Sequence, residues 1–217
     1  MPDILKDCAL FTAFPPSTLP ERVAPPSSKE EGGYKPRVVS LNKRTHQIHA
    51  MVGGRAYEIG HPKQLAMYML NNILGGGSLN SRLNMSLREQ HGLVYTIESQ
   101  YVPLSDTGYW SIYFATEPQQ REQCIELIHK ELHKLREEPL STLQFQRALQ
   151  QLHGQMAIAA ENQENNALAM GKLMLYHGYA PTWEETYERI AKLTPTDLQD
   201  VAQEMLTENT LSYLFYE

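Results

Sequence analysis

With only two cysteines in 217 residues, Cys8 and Cys124, the chain has neither a disulfide framework nor a Cys-x-x-Cys metal knuckle. The pair fits a reducing compartment. Basic charge is also short: 19 Lys and Arg stand against 25 Asp and Glu, a formal net charge of −6. No basic stripe runs along the chain, which argues against nucleic acid as a partner. No apolar run approaches the roughly 20 residues of a membrane-spanning helix, so no membrane partner is expected. The first residues, Met1-Pro2-Asp3-Ile4-Leu5-Lys6, lack a basic region followed by an apolar core. No secretory signal is legible there, and the compartment this favours is the cytoplasm. What is present is material for a core: 41% of residues are hydrophobic and 20% charged, the balance of a folded domain.

Three stretches follow one another. Residues 1–14 are mostly apolar after Pro2 and read as a short helix, the tail of an upstream segment. Residues 15–36 hold six prolines, Ser27-Ser28, Gly32-Gly33 and the charge run Lys29-Glu30-Glu31. That composition predicts a linker or extended arm. Residues 37–217 form the main domain. Arg37–Leu41 and Gln47–Gly54 read as strands, the second with Ile48, Ala50 and Val52 on one face. Pro62 opens a helix in which Leu65, Met69, Asn72 and Ile73 share a face, and Gly75-Gly76-Gly77 ends it. Asn80–Gln90 is a second helix, capped by Gly92. Leu93–Val102 and Tyr109–Ala115 pair as a hairpin through Asp106-Thr107-Gly108.

Helices dominate after Pro118. Gln119–Arg136 places Cys124, Ile128, Leu132 and Leu135 at helical spacing. Ser141 with Gln144, and Thr182 with Glu185, make capping boxes; Thr194-Pro195 with Asp197 opens a further helix by the same logic. Leu211–Tyr216 is a closing strand. Strands at both ends with a helical block between predict an α+β fold. The expected form is a two-layer sandwich, a mostly antiparallel sheet with helices packed on one face.

One block concentrates the chemistry: Tyr68-Met-Leu-Asn-Asn-Ile-Leu-Gly-Gly-Gly-Ser78, then Ser81-Arg82-Leu83, then Leu87-Arg88-Glu89-Gln90-His91-Gly92-Leu93-Val94-Tyr95. This order resembles the C-terminal, non-metal half of the pitrilysin-like inverted-zincin metallopeptidases, which include the mitochondrial processing peptidases and insulin-degrading enzyme. The resemblance covers roughly residues 45 to 217 and is dense over 68 to 116. In that family the N-terminal half carries His-x-x-Glu-His, two zinc ligands and a general base. No such motif occurs here. On the equivalent helix Tyr68 and Asn72 stand at the histidine positions and Asn71 at the glutamate. Tyr with Asn is a poor zinc pair, and a neutral amide is no general base.

The resemblance implies a domain that binds no metal, with zinc in an N-terminal catalytic half, fused or separate. It implies Arg88 and Tyr95 as substrate-binding residues that reach across a cavity to a peptide. It further implies inactivity of this chain alone. A guanidinium and a phenol can stabilise the charge that builds on a peptide carbonyl during hydrolysis. Read without the resemblance, Arg88 is a cation suited to a helix C-terminus and Tyr95 a strand aromatic. The alternative function is a non-enzymatic scaffold or core subunit that kept the fold.

Other candidates carry less. His129 and His133 share a helix face, but Glu131 points elsewhere, so this reads as a solvated helix surface. His46 and His49 point to opposite faces of a strand. His61, His91, His153 and His177 are isolated. The Gly75–Ser78 stretch lacks a following Gly-Lys-Ser/Thr and ends a helix, so it is no phosphate loop. Arg82 reads as structural near this loop. Tyr101, Tyr109, Trp110 and Tyr113 read as hairpin packing.

Overall fold

The computed structural model describes residues 34–42 and 45–217. The expected helix in 1–14 and most of the proline-rich arm lie outside the described residues. Strands β1 (Val38–Leu41) and β2 (Ile48–Ala56) lead to helix α1 (Gln64–Gly75) and a π-wound helix α2 (Asn84–Gln90). The hairpin of β3 (Val94–Pro103) and β4 (Gly108–Thr116) follows. Then come α3 (Arg121–Glu137), α4 (Thr142–Glu161), α5 (Gln163–His177), α6 (Trp183–Ala191), α7 (Pro195–Met205) and β5 (Ser212–Tyr216).

The five strands form one sheet in the order β1-β5-β2-β4-β3. The last strand returns to lie between the first two, parallel to β1 and antiparallel to β2. The other pairings are antiparallel. This is the α+β sandwich expected, and alternation along the strands explains its single core. Ile48, Ala50 and Val52 of β2 and Trp110, Ile112 and Phe114 of β4 are buried. Against them pack Met67, Leu70 and Leu74 of α1, Cys124, Ile128, Leu132 and Leu135 of α3, and Leu198, Val201 and Ala202 of α7. The α3 stripe is the one the helical spacing predicts.

Several local expectations hold to the residue. The capping boxes at Ser141, Thr182 and Thr194 are formed. Others shift. Helix α1 starts two residues after Pro62, which sits in a preceding turn. Its fully buried side is Ala66, Met67, Met69, Leu70 and Leu74, whereas Leu65, Asn72 and Ile73 are only partly buried. The second helix winds with π geometry from Asn84 rather than as a regular helix from Asn80. The four aromatics of the hairpin do not cluster: Trp110 is buried and Tyr101 bonds inward to the Tyr57 carbonyl at 2.8 Å. Tyr109 and Tyr113 lie on the opposite face, as odd positions on a strand must. Nor is the His129–His133 surface fully solvated. Glu131 is buried and held by Lys134 at 2.7 Å, and His129 Nε2 pairs with the Tyr213 hydroxyl at 2.8 Å.

A polar latch ties the β2–α1 connection to α7. Lys63 and the Tyr57 hydroxyl both donate to the Glu204 carboxylate, and His61 stacks on Tyr57 with ring centroids 4.1 Å apart. Burial first, then the Glu204 bond, pushes the Tyr57 phenol up. The Lys63 bond first, then the Tyr57 bond, pulls the Glu204 carboxyl below its ordinary value of 4.5. A group with a depressed folded pKa stabilises above its unfolded value and loses that contribution as pH falls through the folded one. Glu204 is half exposed, so solvent screens the effect. Glu204→Gln is therefore expected to be less stable than the parent at neutral pH, with the gap closing below about pH 4.5, followed by urea denaturation across pH. A gap independent of pH would assign the loss to packing.

Candidate functional site

The candidate site is built at the junction of α2 and β3. Arg88 lies in the last turn of α2, where a cation suits the helix dipole. The helix ends at a left-handed glycine, Gly92, with φ of 62°. There the Gly92 N–H donates to the Arg88 carbonyl at 3.0 Å and the Leu93 N–H to the Leu87 carbonyl at 2.9 Å. That reversal turns β3 back alongside the helix. The Arg88 guanidinium stands 5.7 Å from the Tyr95 ring centroid, within cation–π range. Glu89 lies 3.8 Å from Arg88 Nε.

Tyr95 is 82% exposed although it begins a strand. Two features account for this. Strand β3 is the edge of the sheet, and its register against β4 shifts between Val94 and Ile97. Such an irregularity re-aims side chains. The base beneath is fixed: Thr116 Oγ1 donates to the Leu93 carbonyl at 2.7 Å, and His91 Nδ1 pairs with the Ser86 carbonyl at 2.7 Å. The junction thus brings Arg88 and Tyr95 together, a cation and a phenol beside an exposed strand edge. Such groups can donate to a carbonyl or a carboxylate.

The three positions matching the family's zinc motif are occupied differently. Asn71 is buried; its Nδ2 donates to the Ser99 carbonyl at 3.1 Å and its Oδ1 accepts from the Ser99 hydroxyl. Asn72 Nδ2 donates to Gln155 Oε1 at 2.7 Å. Tyr68 keeps a half-exposed ring, and burial of its phenol pushes its pKa up. Two engaged amides and a protonated phenol do not fit a zinc ion. Among the described residues no group of three or more His, Cys, Asp or Glu could hold a metal.

The sequence left some contacts unseen. Asn71 reads there as a blank in a motif, whereas it clamps α1 to β3. His49, read as pointing to the opposite strand face from His46, pairs with the Tyr113 hydroxyl at 2.8 Å across β2 and β4. Only the β2–β4 register could have revealed that pairing.

Residues 3–152 match the family model described as peptidase M16 inactive domain. The chain is 27% identical over 180 residues to a protein named uncharacterized zinc protease YmxG of Bacillus subtilis, covering 83% of this chain and 44% of that protein. It is 30% identical over 170 residues to an uncharacterized zinc protease of Streptomyces coelicolor, covering 78% and 37%. Its fold matches a protease from Helicobacter pylori with a TM-score of 0.79 at 18% identity, over 91% of this chain and 48% of that one. A chain of Complex III2 from Candida albicans matches with a TM-score of 0.73 at 16% identity, over 83% and 45%. The chain belongs to the peptidase M16 family and corresponds to its inactive domain. It spans less than half the length of the curated relatives it matches.

If the Asn71–Ser99 pair is the clamp between α1 and β3, Asn71→Ala leaves a buried serine unpartnered. It should cost about 1–3 kcal/mol in urea denaturation. A change within error would assign no net stabilisation to the clamp.

Proposed function

We propose that this domain is the non-catalytic half of a zinc metalloendopeptidase that binds peptide substrate and completes the active site of an N-terminal zinc-bearing half. That half is either fused to this chain or a separate subunit. The observation that carries the reading is the Arg88–Tyr95 pair, a guanidinium over an exposed phenol at a sheet edge. Family membership supplies the context. Hydrolysis of a peptide bond builds negative charge on the carbonyl oxygen, and two preorganised donors favour that state over the neutral substrate. Arg88 supplies charge and a planar fork, Tyr95 a single O–H. Zinc and its general base belong to the other half, and no step in this domain runs through a metal.

The rival reading is a scaffold that kept the fold without the chemistry. The likeness to a chain of Complex III2 from Candida albicans is one of fold. Two measurements separate the readings. The 217-residue chain alone should carry no stoichiometric zinc and hydrolyse no peptide; either activity or metal would overturn the assignment. In the complete protein, Arg88→Ala and Tyr95→Phe should each lower turnover by about 10²-fold with zinc content unchanged, measured by steady-state peptide cleavage and metal analysis. If both substitutions are silent in an active protein, the site is elsewhere. If the complete protein neither binds zinc nor cleaves peptides, the scaffold reading holds.

A further inference from the structure

A cleft of about 180 Å³ opens between α1, the loop after Gly75 and α4. Its lining includes Arg82 and Arg147, the amides Asn72, Asn80 and Gln151, and Ile73 on its apolar side. No carboxylate lines it, in a chain where Asp and Glu outnumber Lys and Arg 25 to 19. Arg121 pairs with Glu122 and Glu217, and Arg136 with Glu208, whereas Arg37, Arg55 and Arg189, like the two cleft arginines, are in no ion pair among the described residues. Among the described residues no carboxylate lies within 4.0 Å of Arg82 or Arg147.

The walls are already set. Asn72 is bonded to Gln155 at 2.7 Å, and Asn80 Nδ2 donates to Gln151 Oε1 at 2.9 Å, so amide pairs bridge α1 and the loop to α4. Gly76 lies tight against Asn72, where a Cβ would come within 2.8 Å of the Asn72 Cα. Two arginines among neutral amides make the cleft's lining cationic. Its volume admits one side chain or one chain end, less than the roughly 300 Å³ at which small-molecule pockets begin.

We infer that this cleft binds a carboxylate of the peptide substrate, with Arg82 and Arg147 supplying the charge. The inference rests on the peptide-binding reading above. Guanidinium forks match carboxylates bidentately. Arg82 stands just ahead of α2 and Arg88 in its last turn. The two arginines therefore stand toward opposite ends of one helix.

The test is fluorescence anisotropy of labelled peptides on the 217-residue chain, with a matched series: a Glu peptide, its Gln counterpart, and each with an amidated C-terminus. The carboxylate peptide is expected to bind about tenfold more tightly than its neutral counterpart. Arg147→Met should abolish that preference and leave the neutral peptide's binding unchanged. Arg147 is exposed on α4, so the variant should keep the parent's thermal melt even if Arg82→Met does not. Measured against the amidated Gln peptide, which has neither carboxylate, a Glu-over-Gln difference that survives amidation assigns a side-chain carboxylate; equal Glu and Gln binding that weakens alike on amidation assigns the chain end. Equal binding of acidic and neutral peptides, unaffected by Arg147→Met but weakened by Arg88→Ala, overturns this inference and leaves the peptide-binding reading intact. Absence of binding by every peptide overturns both. Competition by inorganic phosphate without any carboxylate preference assigns the cleft to a free anion and overturns the peptide commitment.

Discussion

The close approach of α1 to β3 is the constraint on which the rest of this domain depends. At Gly75 a Cβ would sit 2.7 Å from the Ser99 Cβ and 2.8 Å from the Ser99 amide nitrogen, so a side chain there would force helix and strand apart. Four residues earlier, one helical turn back, Asn71 bonds the same serine through both its amide atoms. Helix and edge strand are therefore fixed to each other at one point. The loop after Gly75, helix α2 and the turn at Gly92 all lie between these two anchored elements. Their placement follows from that contact, and with it the direction in which Arg88 and Tyr95 face.

The polar groups the domain buries, such as Asn71, Ser99 and Glu131, are held by hydrogen bonds or an ion pair. Three of the helices on the core side start with capping boxes, which satisfy orphan N–H groups locally and leave side chains free to pack. Helix α2 differs. It has no side-chain cap at its start and winds with π geometry, a form associated with functional sites. Its last turn carries Arg88, and just ahead of it stands Arg82. The most irregular element of the fold thus has arginines at both ends, next to the edge strand whose register is broken.

The positions that the resemblance sets against the metal motif are engaged in packing α1 against its neighbours. In α1 the position matching the family's glutamate is turned into the interface with β3, and the neighbouring position is tied to α4. A neutral amide suits both places because it donates and accepts without a charge to desolvate. Helix α1 is a structural strut in this chain, which matches the M16 inactive domain.

Signals that act within a few residues were legible in the sequence by itself. The capping boxes at Ser141, Thr182 and Thr194, the α3 stripe from Cys124 to Leu135, the hairpin through Asp106-Thr107-Gly108 and the left-handed turn at Gly92 each depend on local dihedral preferences or on side-chain periodicity. The order of residues from Tyr68 to Tyr95 likewise determined the family. Only the tertiary structure decided the sheet order, with β5 slotted between β1 and β2, the inward turn of Asn71 and the burial of Glu131. These depend on which surfaces meet across long stretches of chain, and no local preference records that. The sequence determines that Arg88 and Tyr95 flank a turn; the edge position of β3 and its broken register decide that they meet in the open.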